Sequence, residues 1–347
     1  MGHNNKVLII GGGIAGLSVA LELSNLGTES IIIEKSHNIG GHAAQFACKA
    51  ATKCVKCGAC IVYEKIQSVL DGKGIIIHTD SHVKKITRVH ANKYNVTIEQ
   101  NNQSDNPQET EITLSVDAVV LSTGFKPFDP IDKPYGYRIF DDVITNLELE
   151  RILKKESILK KPSNNELPKK IAFIQCVGSR DSTLNHLWCS KVCCPSALRM
   201  ANLIKMRQKE VEISFFYIDV QSFGKDFLEN YHELKQNIRM IRSIPGDVIK
   251  TDEGLLQITY FDNTNKQSAD ELFDIIILSI GITPNTDANK IADTLGMEIS
   301  DLGFIKPSIF TAGSATGPMN IPETISNAGK TALNVYNYLK DFEKELN

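Results

Sequence analysis

Residues Lys6 to Ile10 form a short aliphatic run that breaks into Gly11-Gly12-Gly13-Ile14-Ala15-Gly16 and resumes as a helical pattern from Leu17 to Leu26, stopping at Gly27. Strand, turn, helix is the order these signals predict. A second strand, Ser30 to Ile33, ends in Glu34, 18 residues after Gly16. An acid at that distance suits hydrogen bonds from a ribose diol. Gly11 permits the tight turn, Gly13 lets the backbone approach a pyrophosphate, and Gly16 lets helix and strand touch. The helix N-terminus adds N–H donors and a positive dipole. A chance glycine-rich turn is the bland alternative, but here the strand, the helix and the acid all stand at the right distances. The pattern predicts a Rossmann-type dinucleotide-binding domain.

All eight cysteines fall into two groups, Cys48-x5-Cys54-x2-Cys57-x2-Cys60 and Cys176-x12-Cys189-x3-Cys193-Cys194. Tight grouping of this kind points to bound metal, and three cysteines separated by two residues each can wrap one compact iron–sulfur core. A disulfide framework fits poorly, because no signal peptide is legible and such frameworks belong to small secreted domains. A tetrahedral zinc site is the stronger rival, since four thiolates also suit that ion. Zinc sites usually use two separated Cys-x2-Cys hairpins, whereas the first quartet strings its cysteines together. The second quartet needs a kinked backbone if Cys193 and Cys194 are to reach one cluster.

Composition excludes several classes. At 347 residues and 42% hydrophobic content the chain can bury one or two cores. A formal charge of -3 and a pI near 6.3 give no basic signature for nucleic acid. Apolar runs such as Ile275 to Ile280 are strand-sized, far short of the ~20 residues that span a bilayer. A cytoplasmic setting is expected, where free or metal-bound cysteines stay reduced.

Two downstream segments resemble the flavoprotein disulfide reductase pattern and favour FAD over NAD. Asp117 to Leu121 reads as a strand and leads into Ser122-Thr123-Gly124-Phe125; near the carboxyl end, Ile309-Phe310-Thr311-Ala312-Gly313-Ser314-Ala315 precedes a helix expected to start at Pro322. Ser314 stands where that pattern usually has an aspartate. Pro322 fits a first helical position, which would let the backbone N–H groups of Glu323 and Thr324 aim the helix dipole at the flavin pyrimidine end. In such reductases a second domain carries its own glycine-rich loop for a nicotinamide cofactor. Here the corresponding strand, Lys170 to Gln175, runs into Cys176-Val177-Gly178-Ser179-Arg180, with a single glycine. A metal group is expected where a nicotinamide would sit.

Phe173 to Asp181, Trp188-Cys189-Ser190-Lys191-Val192-Cys193-Cys194 and Ala312 to Thr324 resemble the A-type flavin subunit of heterodisulfide reductase. The resemblance implies an α/β, thioredoxin-reductase-like two-domain flavoprotein: a Rossmann-type FAD domain and an inserted, degenerate nucleotide-binding-like domain. It implies a four-iron four-sulfur cluster on Cys176, Cys189, Cys193 and Cys194. Cys57 and Cys60 match a shorter Cys-x2-Cys element of the family, and Cys48 and Cys54 are candidates to complete a second cluster. Cofactor contacts are expected at Gly11, Gly13, Ile14, Ala15, Gly16, Glu34, Lys35, Gly41, His42, Thr123, Gly124, Gly313, Ser314, Ile321, Pro322 and Thr324. The family's amino-terminal extension and added ferredoxin modules are absent from the sequence. It therefore resembles the short form associated with bacterial and archaeal sulfur oxidation, and bifurcation is not carried over.

A dithiol reading of Cys48-x5-Cys54 is weaker, because redox pairs at this position have one residue fewer between them and the reading leaves Cys57 and Cys60 unexplained. No catalytic residue is assigned. His42 and His186 alone among the histidines lie beside motifs, and packed or solvated histidines are the simpler reading of both. Lys53, Lys56 and Lys65 read as solvated charges near the first quartet.

The expected organisation is a discontinuous FAD domain, residues 1–145 and 270–347, with an inserted domain at 150–268. Residues 101–110 read as a hairpin tip and 161–170 as the linker into the insert. The expected function is electron transfer by an FAD and iron–sulfur subunit of a heterodisulfide-reductase-like complex, with B- and C-type subunits as partners and a homodimer. An NAD(P)H-dependent flavin disulfide reductase and a zinc-stabilised FAD-binding scaffold are the alternatives.

Overall fold

A computed structural model describes residues 5–50, 53–90, 92–101, 109–221, 231–233 and 235–346. The chain divides into two compact units, the first of residues 1–44, 58–126 and 284–347, the second of residues 45–57 and 127–283.

The first unit is built on a parallel sheet in the order Ile75–His78, Glu29–Ile33, Lys6–Ile10, Ala118–Leu121. Parallel strands covered on both faces read as unbroken apolar runs rather than alternating ones. Val7 to Ile10, Ile31 to Ile33 and Val119 to Leu121 are accordingly all buried. Each such side chain contributes about 1.5–3 kcal/mol relative to an exposed one. Thr311 extends the sheet by a parallel bridge to Leu121. This is the winding of a dinucleotide-binding half, with the helix Ile14–Asn25 crossing between the first two strands. A three-stranded antiparallel sheet, Ser81–His90, Lys93–Asn101 and Glu109–Val116, completes the unit. Asn101 pairs with Glu109 across the expected hairpin, whose tip, 102–108, lies outside the described residues.

The second unit repeats the winding. Its parallel sheet runs Arg239–Ile241, Glu212–Phe216, Lys170–Val177, Ile275–Ile280, Val143–Thr145. The helices Asn146–Lys155 and Cys193–Arg207 bury Leu149, Leu153, Ala197, Leu198, Ala201 and Ile204 in one core with Phe173, Phe215 and Ile277. A capping box starts the first of these helices, Thr145 accepting from the Glu148 N–H while Glu148 accepts from that of Thr145.

The structural boundaries differ from those read in the sequence. Val143–Thr145 and Ile275–Ile280 pair with each other in the second unit's sheet, so that unit begins at 127 and ends at 283. Residues 161–170 run inside it rather than leading into it: Ser163 donates to both carboxylate oxygens of Asp142, at 3.0 and 2.7 Å. Residues 45–57 also belong to the second unit, although their sequence neighbours on both sides lie in the first.

Candidate cofactor and cluster sites

In the first unit the glycine turn forms as its spacing predicts. Gly11 has φ +107°, a conformation that disfavours any side chain, and a Cβ there would lie 2.5 Å from the Ser122 carbonyl oxygen. At Gly16 a Cβ would fall 2.0 Å from the Gly11 carbonyl oxygen. Gly13 is different. Its backbone is extended, and a Cβ would meet no protein atom within 4 Å. A glycine that the protein does not need for its own packing is what an approaching ligand needs.

Glu34 is buried at the end of its strand, accepting from the N–H of Gly12 and of Ser36, each at 2.8 Å. One carboxylate has about four lone-pair sites, so two bonds fix its position and leave capacity for a diol. Gly40 donates to the Gly12 carbonyl oxygen at 2.7 Å, placing Gly41 (φ +59°) beside Gly13. Gly313 packs on the same helix start, where an added Cβ would lie 2.6 Å from Ala15 Cβ and 3.2 Å from Thr324 Cγ2. Gly11, Gly13, Ala15, Gly16, Glu34, Gly41, Thr123, Gly313 and Thr324 are thereby assembled around one turn. Lys35 and Pro322 are exposed, Ile321 is half-buried and Ser314 is buried. His42 places Nε2 3.2 Å from the Phe125 carbonyl oxygen and its ring centroid 4.7 Å from that of Phe125.

Two buried polar atoms offer themselves to a ligand. Thr123 Oγ1 and Asn285 Oδ1 lack a protein partner, and Asn285 Nδ2 donates to the Thr123 carbonyl oxygen at 3.0 Å. Unpaired buried groups of this kind cost about 1–3 kcal/mol each unless a ligand or water meets them. The residues present therefore fit a dinucleotide. Asn285 was invisible to sequence reasoning, because it joins the motif only through a contact to a residue 162 positions away.

The carboxyl-terminal helix corrects one expectation. It spans Ile321–Leu346, not from Pro322 onward. Glu323 N–H donates to Asn320 Oδ1 at 2.9 Å, Asn320 N–H to Glu323 Oε2 at 3.0 Å, and Thr324 N–H to the Asn320 carbonyl oxygen at 2.9 Å. The two amide donors assigned to a cofactor are spent on the helix's own cap. The helix dipole remains to act on a ligand.

In the second unit the strand Lys170–Val177 slips register against Ile275–Ile280 between Ile174 and Val177. Cys176 sits at this bulge with φ +61°, and Gly178, Arg180, Asn185 and Lys191 follow in the left-handed region. Bulges re-aim side chains. Cys193 and Cys194 open the helix Cys193–Arg207 and are buried.

The four thiols of this quartet act on one another. Burial pushes Cys176 up to about 11, with Cys189 adding to the rise, and pushes Cys194 up to about 12, with Cys176 and Cys189 adding. Cys193 is driven highest, first by desolvation and then by Cys194, Cys176 and Cys189. Burial therefore favours the protonated forms of Cys176, Cys193 and Cys194, which a bound cationic core would reverse. Lys191 N–H already donates to Cys189 Sγ at 3.3 Å. Among the described residues no group of three or more His, Cys, Asp or Glu side chains is arranged to hold a metal ion. The chemistry of the second quartet, four thiols that bear on one another electrostatically, is that of cluster ligands.

The first quartet is placed differently. Cys48, Cys54 and Cys60 are exposed and Cys57 is partly so. Cys57 bears electrostatically on Arg199, whose guanidinium burial pulls below its ordinary range. His186 Nδ1 lies 2.9 Å from the Gly178 carbonyl oxygen and its ring packs on Trp188 at 4.7 Å.

Residues 5–161 match the family described as pyridine nucleotide-disulphide oxidoreductase. Two curated relatives align along nearly the whole chain. One, the A-type subunit of the H(2):CoB-CoM heterodisulfide,ferredoxin reductase of Methanothermobacter marburgensis, is 28% identical, covering 95% of this chain and 63% of its own length. The other, the second A-type iron-sulfur subunit of the CoB–CoM heterodisulfide reductase of Methanopyrus kandleri, is 29% identical, with 94% and 63% covered. The chain is similar to the A-type subunits of heterodisulfide reductases. It spans about 63% of the length of these relatives. The fold is thioredoxin-reductase-like: the thioredoxin reductase of Lactococcus lactis superposes with a TM-score of 0.63 at 14% identity, covering 97% of this chain and 99% of its own. No helix among the described residues is long and apolar enough to cross a membrane.

Proposed function

We propose that this chain is an electron-transfer oxidoreductase subunit of a heterodisulfide-reductase-like complex, holding FAD in its first unit and a four-iron four-sulfur cluster in its second. The observation that carries the proposal is the thiol quartet that begins at the bulged end of Lys170–Val177, with Cys193 and Cys194 buried and Cys176 and Cys189 partly so. A strand end of that kind would carry a glycine-rich cradle in a nicotinamide-binding domain. Flavin can exchange electrons singly or in pairs, and a cluster exchanges them one at a time.

The chain's own residues have separable tasks. Gly11, Gly13 and Gly16 shape the turn for a pyrophosphate, Glu34 would hold the adenosine ribose, and Thr123 and Asn285 would meet polar atoms of the cofactor. Cys176, Cys189, Cys193 and Cys194 would ligate the cluster; Cys48, Cys54, Cys57 and Cys60 are the candidate set for a second. B- and C-type subunits, a second copy of the chain, a cytoplasmic setting and a place in sulfur oxidation complete the proposal. They rest on the likeness to the A-type subunits and on the short-form resemblance.

Purification under anaerobic conditions tests it. The expected protein is brown, with flavin absorbance and about four to eight irons per chain for one or two four-iron clusters. NADH and NADPH should bleach it poorly. A yellow protein holding zinc without iron would mark a scaffold, and rapid bleaching by NADH or NADPH would mark an independent disulfide reductase.

A further inference from the structure

Arg180 is the residue of the second unit whose environment the cluster ligands alone do not explain. It is held with φ +55°, a strained conformation for a residue with a side chain, which persists only where its surroundings fix it. Its N–H donates to the Trp188 carbonyl oxygen at 3.0 Å, closing the loop between Cys176 and Cys189. Its guanidinium donates through Nη1 to Asp219 Oδ1 at 2.5 Å.

Asp219 in turn reaches the quartet through its backbone. Its backbone carbonyl oxygen lies 3.9 Å from Cys194 Sγ, and its carboxylate also accepts from Gln221 Nε2 at 2.9 Å. Arg180 itself stands four residues after Cys176, on the loop that leaves the bulge. One cation is thus fastened between a ligand at the bulge and the segment that backs a ligand on the helix.

We propose that Arg180 is a positioning residue that sets the reduction potential of the group bound by Cys176, Cys189, Cys193 and Cys194, with Asp219 fixing its place. The proposal rests on the cluster reading of that quartet. Reduction adds negative charge to a core already ringed by thiolates, and a guanidinium fixed to Asp219, the residue whose carbonyl oxygen meets Cys194, offsets it. Potentials of such clusters respond to net charge and to hydrogen bonds at the sulfurs. A guanidinium keeps its charge at every working pH, so the contribution is constant.

The test is a redox titration of the anaerobically purified full chain, followed by electron paramagnetic resonance. Arg180→Gln should keep its iron and shift the midpoint negative by about 59 mV, a tenfold change in the reduced-to-oxidised ratio for one electron. Arg180→Lys, which keeps the charge, should stay near the wild type. In Arg180→His the potential should fall as pH rises through the imidazole range, beyond any change in the wild type. Iron-loaded Gln and His variants with wild-type potentials at every pH would overturn the proposal. So would loss of iron from both, which would make Arg180 purely structural. Wild-type protein without iron would instead sink the cluster reading itself.

Discussion

The ammonium of Lys49 lies 2.6 Å from the carboxylate of Glu150, and the two side chains are only 4% and 2% exposed. Glu150 also accepts from the Ala47 N–H at 2.9 Å and from Ser196 Oγ at 3.1 Å. Ser196 stands two residues beyond Cys194, and Lys49 directly follows Cys48. One buried carboxylate therefore ties the segment that carries Cys48, Cys54 and Cys57 to the helix that carries Cys193 and Cys194.

Removing one partner of a buried pair leaves the other charge uncompensated, at a cost of about 3–5 kcal/mol. Glu150→Ala should destabilise the second unit by that amount in chemical denaturation. The double variant Lys49→Met with Glu150→Leu should recover part of the loss, since apolar replacement of a buried pair is often neutral. Full recovery is not expected, because the Ala47 N–H loses its acceptor, which costs about 1–3 kcal/mol. Equal stability of the single and double variants would show that the charge pair is not the cause.

The glycine turn separates folding from binding. Gly16→Ala drives a Cβ into the Gly11 carbonyl oxygen and should lower stability together with flavin content. The Cβ of Gly13→Val would meet no protein atom within 4 Å, so this variant should keep the fold while emptying the cofactor site. Circular dichroism and bound flavin, measured on both variants, check this. Normal flavin in Gly13→Val would place the pyrophosphate elsewhere.

Lys133 and Thr183 hold the carboxyl of Asp181 at about 2, below its ordinary 3.8. A depressed carboxyl adds stability above its unfolded pKa and loses it as pH falls through the folded value. The stability gap between wild type and Asp181→Asn should therefore be full at about pH 5 and close between about pH 4 and pH 2. Denaturation midpoints across that window report it; a gap that persists at about pH 2 would assign the effect to something other than ionisation.

Much of the first unit was legible because its signals are local. Gly11 to Gly16, the strand before them and Glu34 lie within 29 residues, and each has one physical job. The second quartet stood out through the family resemblance of its flanking residues, since its spacing alone said little. Contacts between distant residues were not legible. The placement of 45–57 depends on Glu150, about a hundred positions away, and the clamp on Arg180 depends on Asp219, 39 positions on. The helix at Pro322 was read one residue late because proline marks a helix start loosely, while the Asn320–Glu323 exchange that sets it is visible only in three dimensions.

The central claim is that the second quartet holds a cluster independently of the flavin. Iron quantitation with electron paramagnetic resonance on anaerobically purified Cys193→Ser, beside the wild type and Cys57→Ser, tests it most directly. The account predicts a loss of about four irons in Cys193→Ser, the disappearance of one cluster signal, and retained FAD. Unchanged iron and spectra in Cys193→Ser, with the loss appearing only in Cys57→Ser, would contradict it.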